Sequence, residues 1–247
     1  LRLIGLLARD GIACVNADDV AWRDVGTPPR LYNQVVVETA EFKALDPFGK
    51  LNVLAAINAA MADAGIAAWF WKYRYDRWRP VVGIREAVAH WGPKGAGVAG
   101  ATDPDPFWLP LGAPASNPID GKPLPNNFTP NFPAYPSGHS TFGSACFETF
   151  AALVHKSPND ITFSFVSDEF NGVTTDNRGT ARPKYEQTMT LANAIEQNGE
   201  SRVFLGVHWR DDAVGGRKVG DQVAKAAISK FGGTLPNHLS GVVRRGS

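Results

Sequence analysis

The sequence predicts an all-α protein, and three observations support this fold class. Alanine, leucine and methionine recur at helical spacing from about residue 49 to residue 78. Helical patterns return over residues 137–156, 190–209 and 211–231. Strict alternation of apolar and polar residues, which marks a half-buried strand, is scarce along the 247 residues.

Each predicted element has its own local justification. A short helix is expected over residues 27–40, after the prolines that follow Thr27, and the long helix that begins near residue 49 is expected to end at Pro80. Ser137 is placed to open the next helix, and Gly199 weakens the middle of the one after it. The helices are therefore predicted to lie early and late in the chain, with a long irregular insert between them.

That insert, residues 92–136, is rich in proline, glycine and asparagine, so it is predicted to be neither helix nor central strand. A loop of this length in a compact domain is usually functional. Phe107, Trp108, Leu109 and Leu111 favour burial, and we expect the loop to form a wall or roof over a site.

Composition limits the classes of function. Hydrophobic residues make up 44% and charged residues 20%, which is typical of a soluble globular protein, and 247 residues suffice for one well-buried domain. We therefore treat residues 1–247 as a single helical domain. The net charge of +1 argues against binding to nucleic acid.

No membrane span is predicted, because polar residues and Gly65 interrupt the most apolar stretch, residues 53–71. The first residues are too short for a complete signal peptide and resemble a helix already under way, which is expected of a processed or truncated chain. Cys14 and Cys146 form no disulfide framework, so the compartment, including a secreted or periplasmic one, stays open.

The first candidate site residues lie at the end of the long predicted helix. Lys72 and Arg79 are seven residues apart, close to two helical turns, so we expect them on one face, held in a partly dry pocket by the aromatic residues between them. Pro80 is expected to stop the helix and to fix Arg79 near its end. The alternative is an ordinary solvated basic face that includes Arg74 and Arg77.

A second group lies at Pro136-Ser137-Gly138-His139, at the start of a predicted helix. The free N–H groups and partial positive charge of a helix N-terminus favour an anion. Ser137 can cap the helix and donate its hydroxyl, and Gly138 allows close approach of the backbone. His139 titrates near neutrality and can transfer protons there. The alternative is a capping serine beside a chance histidine.

The third group contains Arg202, His208 and Asp212. Helical spacing is expected to bring the guanidinium and the imidazole to one ligand. Asp212, four residues after His208, can accept from one ring nitrogen and leave the other as a lone-pair donor. Asp211 lies one position off that face. Together the three groups supply what a tetrahedral oxyanion such as phosphate or vanadate requires.

These motifs, Lys-x6-Arg-Pro, Pro-Ser-Gly-His and Ser-Arg-x5-His-x3-Asp, resemble those of the vanadium haloperoxidase and type-2 phosphatidic acid phosphatase superfamily. The similarity is greatest to the fungal-type vanadium chloroperoxidases and covers most of residues 17–231. It extends to Gly26-Thr-Pro-Pro-Arg-Leu-Tyr-Asn-Gln34 and Phe204-Leu-Gly-Val-His-Trp-Arg210. The resemblance implies the helical bundle of that superfamily, with long Pro/Gly-rich loops.

The resemblance also implies roles for single residues. Vanadate is the implied cofactor, with phosphate in its place in the apo form, and the residues implied to bind its oxygens are Lys72, Arg79, Ser137, Gly138 and Arg202. His208 is implied as the ligand of the metal and His139 as the acid–base residue. Trp69 and Phe132 match the aromatic pair of a chloride-competent halide pocket.

Two departures from the family pattern stand out. The family has another helical bundle before this region, so association with a separate N-terminal portion or with a second copy is expected. An acidic residue that supports an active-site arginine in the family has no clear counterpart, although Asp18 or Asp19 could serve.

The predicted function is the oxidation of chloride or bromide by hydrogen peroxide to hypohalous acid, which then halogenates a small organic acceptor. An alternative is an acid phosphatase that uses the same pocket, in which His208 forms a phosphohistidine and His139 protonates the leaving group. A non-catalytic oxyanion-binding protein is a further alternative. Trp69 and Phe132 favour halide oxidation over the phosphatase alternative, because aromatic walls suit a halide better than varied phosphoesters.

Overall fold

The structure is a computed structural model of the chain. It describes residues 28–86, 104–108, 110, 129–166, 171–173, 181, 184 and 186–231. Most of the predicted loop over residues 92–136 therefore lies outside the described residues, as do Cys14, Asp18 and Asp19.

The described chain is mainly helical, so the predicted all-α class is confirmed. The helices are α1 (Pro28–Glu38), α2 (Ala40–Lys43), α3 (Pro47–Tyr75), α4 (Pro80–Arg85), α5 (Gly138–Leu153), α6 (Leu191–Phe204) and α7 (Arg210–Phe231). Two short strands, β1 (Thr162–Val166) and β2 (Glu186–Thr190), form one antiparallel pair in which Thr162 lies opposite Thr190.

Helix α5 lies at the centre of the bundle and packs most extensively against α7 and α3, then against α6. Twelve of its sixteen residues are buried, and many are glycine, alanine, serine or threonine. Small side chains allow neighbouring helix backbones to approach closely. The larger side chains of the core, among them Tyr32, Ile57, Phe147 and Phe150, fill the space between α5, α1 and α3.

The close approach of α7 to α5 depends on two glycines of α7. A Cβ atom at Gly216 would lie 2.6 Å from the carbonyl oxygen of Ser137, and one at Gly220 would lie 2.5 Å from that of Thr141. No side chain fits in these gaps. The start of α5 is therefore held directly against α7, and this contact positions two of the three predicted site segments.

The long helix ends earlier than the sequence predicted. Asp76 adopts a left-handed conformation (φ 46°) as the C-cap of α3, and a new helix begins at Pro80. Pro80 therefore starts α4 instead of stopping α3, since proline is well tolerated in the first turn of a helix. Lys72 belongs to α3 and Arg79 to the connection, so the prediction that they share one helical face is wrong.

The strand pair was not predicted. In β1 the aromatic residues Phe163 and Phe165 are buried against the core, with Ser164 exposed between them. This alternation is a strand pattern, but it covers only five residues. Such a short run carries too weak a signal to stand out between long helices.

Two further predictions concern exposed apolar residues. Phe107 is 88% exposed, so its predicted burial is wrong, although Trp108 is half-buried and its ring lies against Gly206.

By length and composition alone, Pro47–Arg85 is apolar enough to cross a membrane, and one face of α3 carries Phe48, Leu51, Ile66 and Phe70 in exposed positions. The absence of a membrane span stays a prediction.

Candidate active site

All three predicted segments meet at one cavity of about 400 Å³. Its polar lining consists of Arg79, His139, Arg202 and His208. The rest of the lining is largely apolar and comes from α1, α3, α5, the segment before α5 and the turn between α6 and α7. Residues far apart in the sequence thus converge on a single space.

Lys72 and Arg79 reach the site from two different elements. Lys72 is completely buried, and its Nζ donates to the carbonyl oxygens of Pro133 and Ala134, each at 3.0 Å. Arg79 donates from Nε to the carbonyl of Phe132 at 2.9 Å. Both cations therefore hold the segment that leads into α5, and the ammonium of Lys72 lies behind the cavity wall.

The start of α5 supplies the second segment. Ser137 occupies the N-cap position as predicted, but its side chain makes no capping hydrogen bond. Its backbone N–H donates to the carbonyl of Asp212 at 2.8 Å, and its Oγ is buried without a hydrogen-bond partner. The predicted cap is thus wrong in its contact, because the Ser137 hydroxyl has no hydrogen-bond partner in the structure.

The third segment is divided between a helix and a turn. Arg202 lies in the last turn of α6, and His208 lies in the connection before α7, so the predicted continuous helix through His208 is wrong. Gly206, with φ 83°, permits the reversal that turns the chain back toward the cavity. Backbone N–H groups of Val207 and His208 both donate to the carbonyl of Arg202 at 3.2 Å. The turn, and not helical spacing, brings the two side chains together.

The hydrogen bonds of His208 define its tautomer. Nδ1 lies 3.0 Å from Oδ2 of Asp212, and Nε2 lies 3.0 Å from Nη1 of Arg79. A guanidinium can only donate, so Nε2 must accept and Nδ1 must carry the proton. Nε2 therefore presents a lone pair on the cavity side, as the spacing of His208 and Asp212 predicted.

Asp212 is fully buried and is held by more than the histidine. Its Oδ2 also accepts from the backbone N–H of Trp209 at 2.8 Å, and its Oδ1 lies 3.4 Å from Nη1 of Arg77. Burial raises the pKa of Asp212, while the Trp209 N–H and the Arg77 charge oppose that rise. Arg77, which the sequence left as a possible solvated cation, thus helps to keep this carboxylate ionised and oriented.

His139 projects from the first turn of α5. Its Nε2 lies 3.4 Å from Nη1 of Arg202, so this nitrogen accepts. Two buried side chains fix its backbone: Nδ2 of Asn198 donates to its carbonyl at 2.7 Å and the Tyr32 hydroxyl does so at 3.2 Å. Neither Asn198 nor Tyr32 was predicted as a site residue, since each acts across a long sequence separation that local patterns do not show.

The site concentrates positive charge on buried side chains. Burial and the neighbouring Arg79 lower the pKa of Lys72 to about 7, and burial lowers the pKa of Arg79 to about 10. Burial and the surrounding cations also hold the pKa values of His139 and His208 well below the usual range. Both histidines are therefore neutral at pH 7, and an anion in the cavity would relieve the repulsion.

Unpartnered donors point to the type of ligand. Arg79 Nη2 and Ser137 Oγ are both buried without a hydrogen-bond partner. A buried unsatisfied donor is costly unless a ligand or water completes it. Among the described residues, no group of three or more His, Cys, Asp or Glu side chains could hold a metal cation. The donor set thus suits an oxyanion.

Aromatic rings form one side of the site. The rings of Trp69 and Phe132 lie 5.0 Å apart, and Lys72 Nζ lies 5.7 Å and 5.2 Å from their respective centroids. Phe142 extends this wall, 6.2 Å from Trp69. The predicted pair is thus in contact beside a cation. Phe142 was missed, although its position three residues after His139 places it on the same helical face.

Comparison with known proteins gives a consistent result. The sequence matches the family described as the VCPO second helical-bundle domain over residues 52–235. Vanadium chloroperoxidase from Curvularia inaequalis is 35% identical over a 228-residue alignment that covers 79% of this chain and 35% of that protein. The chain thus spans about a third of the length of that relative.

Solved structures show the same fold. A structure described as the first bacterial vanadium-dependent iodoperoxidase matches with a TM-score of 0.62 at 21% identity, over 92% of this chain and 43% of that one. A holo-type bacterial vanadium-dependent chloroperoxidase matches with a TM-score of 0.56 at 20% identity, over 98% of this chain and 48% of the other. The helical bundle is therefore shared with both.

Proposed function

The chain belongs to the family of the VCPO second helical-bundle domain, and from this membership we propose that it is a vanadate-dependent haloperoxidase. The proposed reaction oxidises chloride or bromide with hydrogen peroxide and a proton to hypohalous acid and water. The observation that carries the proposal is the convergence of Arg79, His139, Arg202 and His208 on one cavity beside unpartnered buried donors.

The residues present fit vanadate. Arg79 Nη2 and Ser137 Oγ are buried donors without acceptors. Gly138 lines the cavity at the N-terminus of α5, where the partial positive charge of the helix favours an anion. Lys72 and Arg202 add positive charge. The Nε2 lone pair of His208 would take the metal, which requires Arg79 Nη1 to give up its contact with that nitrogen. When bound, vanadate supplies a Lewis acid that activates peroxide toward a halide.

In this account the protein's own residues transfer protons and balance charge. His139 is neutral at pH 7, because burial and nearby cations hold its pKa well below 6.5. Its Nε2 can take the proton of hydrogen peroxide once Arg202 Nη1 gives up its contact with that nitrogen. The same low pKa favours the return of that proton to the departing hypohalite oxygen. Lys72, together with Arg79 and Arg202, stabilises the negative charge that shifts between oxygens, and all three side chains are buried.

Asp212 acts through His208. By accepting the Nδ1 proton at 3.0 Å, it keeps Nε2 unprotonated and turned toward the cavity. Trp69 and Phe132 offer ring surfaces close to Lys72 and Arg79, where a weakly hydrated halide can lose its water shell beside a cation. These side chains form the proposed halide pocket.

Reconstitution tests the proposed function. The 247-residue chain is expected to oxidise bromide, and chloride more slowly, with hydrogen peroxide only after incubation with orthovanadate. Removing vanadate by dialysis should abolish turnover, and adding it back should restore turnover. Hydrolysis of p-nitrophenyl phosphate without any halide oxidation, between acid and neutral pH, would contradict the proposal and favour the phosphatase alternative.

Oxyanion affinity is expected to depend on the protonation of Lys72. Its pKa of about 7 in the free protein lies below the ordinary 10.5, so above pH 7 the free site loses this cation and ligand binding must restore it. Tungstate, which stays a dianion through the alkaline range, should therefore bind about tenfold more weakly at pH 9 than at pH 8. Isothermal titration calorimetry in buffers of different ionisation enthalpy should show proton uptake.

The control for this prediction is Lys72→Met, which is expected to bind tungstate more weakly but with little change between pH 8 and pH 9. Without a ligand, the contribution of Lys72 to the free energy of unfolding is most favourable above pH 10.5, and that contribution is lost as pH falls toward 7. An affinity of the unmodified protein that is constant from pH 7 to pH 9 would refute the role of Lys72.

Association with a separate N-terminal portion or with a second copy is also part of the proposal. It is supported by exposed apolar side chains along α3, of which Ile66 is 73% and Phe70 is 63% exposed. The treatment of residues 1–247 as one domain stays a prediction.

A further inference from the structure

We propose that an open pocket on the surface, separate from the cavity of the candidate active site, binds a methylated ammonium group such as that of choline. This ammonium pocket measures about 580 Å³ and is lined by Tyr75, Asp76, Arg77, Trp78, Tyr135 and Asp211. These residues lie at the end of α3, in the connection to α4, just before α5 and in the first turn of α7. The pocket is thus built from several elements that the fold brings together.

Aromatic rings form much of its wall. Tyr75 is 58% exposed and Trp78 is 57% exposed, although large aromatic side chains usually favour burial. Such surface, gathered in one place, marks a binding site more often than a single exposed ring does. The rings of Tyr75 and Tyr135 lie 5.0 Å apart with their planes at 86°. Two rings at right angles form a corner, which fits a rounded tetrahedral group better than a flat one.

Two of these rings are held in place by their neighbours. A Cβ atom at Gly215 would lie 2.7 Å from the hydroxyl oxygen of Tyr135, so this side chain packs directly on the backbone of α7. Tyr75 also contacts Trp71, at 5.6 Å between ring centroids. Because the walls are already ordered, little conformational entropy is lost when a ligand binds between them.

Charge favours a cation in this pocket. The lining carries two carboxylates, Asp76 and Asp211, against the one guanidinium of Arg77. Arg77 Nη2 lies 3.6 Å from Oδ2 of Asp211, and its Nη1 lies 3.4 Å from Oδ1 of the buried Asp212. Its positive charge is therefore offset by two acids. An anion would be repelled by the remaining negative charge, whereas a cation is attracted to carboxylates and to ring faces.

Asp76 is the residue that most needs such a ligand. It is the C-cap of the 29-residue helix α3 and has a left-handed conformation with φ 46°, where glycine is the usual residue. Its carboxylate also lies at the negative end of the helix dipole. In the described part of the chain, this carboxylate has no ion pair and accepts no hydrogen bond. Asp76 thus costs stability in two ways, and a bound cation would explain its presence.

The chemistry of the walls selects the kind of cation. Within the described ranges, no group of three or more His, Cys, Asp or Glu side chains could hold a metal ion. A primary ammonium is strongly hydrated and has three N–H donors that need acceptors, which ring faces do not supply. A quaternary ammonium has no N–H donor, and aromatic rings are its usual partners in proteins. A methylated ammonium therefore matches the pocket best.

The first arm of the test compares ligands. By isothermal titration calorimetry on the 247-residue chain, without vanadate and at constant chloride concentration, choline is expected to bind saturably at one site. Its neutral analogue 3,3-dimethylbutan-1-ol has the same shape without the charge and should bind at least about tenfold more weakly. Ethanolamine, which has the charge without the methyl groups, should bind at least about threefold more weakly.

The second arm uses matched variants. Tyr75→Ala should weaken choline binding about threefold to tenfold, through loss of one ring. Tyr73→Ala, the same change at a position that is 64% exposed on the same helix, should leave binding unchanged. Asp76→Asn keeps the shape of the side chain and tolerates the left-handed conformation, so it should weaken binding about threefold through loss of charge alone. Asp63→Asn, at an exposed position of α3, is its control.

A third arm separates the two sources of a methylated ammonium group, a free small molecule and a lipid headgroup. Saturable choline binding without co-sedimentation of the protein with phosphatidylcholine vesicles assigns the pocket to a free ligand. Co-sedimentation with phosphatidylcholine vesicles, but not with phosphatidylglycerol vesicles, assigns it to the headgroup if choline competes and Tyr75→Ala abolishes it. Either result supports the proposal.

Three results would overturn the proposal: no saturable binding of choline together with no vesicle binding that choline competes, equal binding of the neutral analogue, or equal effects of Tyr75→Ala and Tyr73→Ala. If Tyr75→Ala does not fold, as judged by its thermal transition, Asp76→Asn and Asp63→Asn decide in the same way. None of these assays needs vanadate, peroxide or halide. Failure of the ammonium pocket therefore leaves the proposed haloperoxidase function standing, and the reverse also holds.

Discussion

Replacing His208 with asparagine is expected to lower vanadate-dependent bromide oxidation by more than about 100-fold. The reason is that Nε2 of His208 presents its lone pair to the cavity, and Asp212 fixes that tautomer from the other side of the ring. Loss of a group that only orients a metal ligand typically costs about 10- to 100-fold, so loss of the ligand itself should cost more. Vanadate affinity, measured by its effect on the thermal transition, should fall in parallel.

The matched control is His155→Asn. His155 is exposed at the end of α5, and its positive φ of 55° is a conformation that asparagine also adopts readily. This variant is expected to keep full activity and full vanadate stabilisation. If His208→Asn retained activity within about tenfold of the unmodified protein, with the same stabilisation by vanadate, His208 would not be the ligand.

Replacing Gly216 with valine is expected to cause the largest loss of stability among single changes near the site. Its Cβ would lie 2.6 Å from the carbonyl oxygen of Ser137 and 2.7 Å from Cβ of Ser140, so α7 would have to move away from α5. Overpacking of this kind costs about 3 kcal/mol or more. For a chain of this size, the melting temperature should fall by about 6–12 °C.

The same displacement should weaken the site. Asp212 lies one turn before Gly216, and its carbonyl accepts from Ser137 N–H at 2.8 Å, so the two motifs are joined where α7 would move. Ala226→Val, an exposed position on the same helix, is the control and should change the melting temperature by no more than about 2 °C. Equal melting temperatures for the two variants would show that the close contact of α5 and α7 is not limiting for stability.

The sequence predicted which residues meet at one cavity better than it predicted the local structure that positions them. The three motifs name which groups an oxyanion needs, and the structure brings Arg79, His139, Arg202 and His208 to one cavity. The backbone that brings these side chains together differs from the prediction. Asp76 ends α3 in a left-handed conformation, and Gly206 reverses the chain before His208. A helical pattern that continues on both sides of a turn does not show where the turn occurs.

Contacts between residues far apart in the sequence were the second feature that the sequence did not predict. Arg77 and Asp212 are 135 residues apart, and Asn198 reaches the carbonyl of His139 across 59 residues. No pattern within one segment identifies such partners. They follow only from the packing of α5 between its neighbours, which depends on the small residues of α5 and on Gly216 and Gly220.

A crystal structure of the chain with bound vanadate tests the central claim most directly. We expect the metal to be bonded to Nε2 of His208, with its oxygens accepting from Arg79 Nη2 and Ser137 Oγ, both of which are buried without a hydrogen-bond partner. Vanadate bound at another place, or held in this cavity while Nε2 of His208 keeps its hydrogen bond to Arg79, would contradict the account.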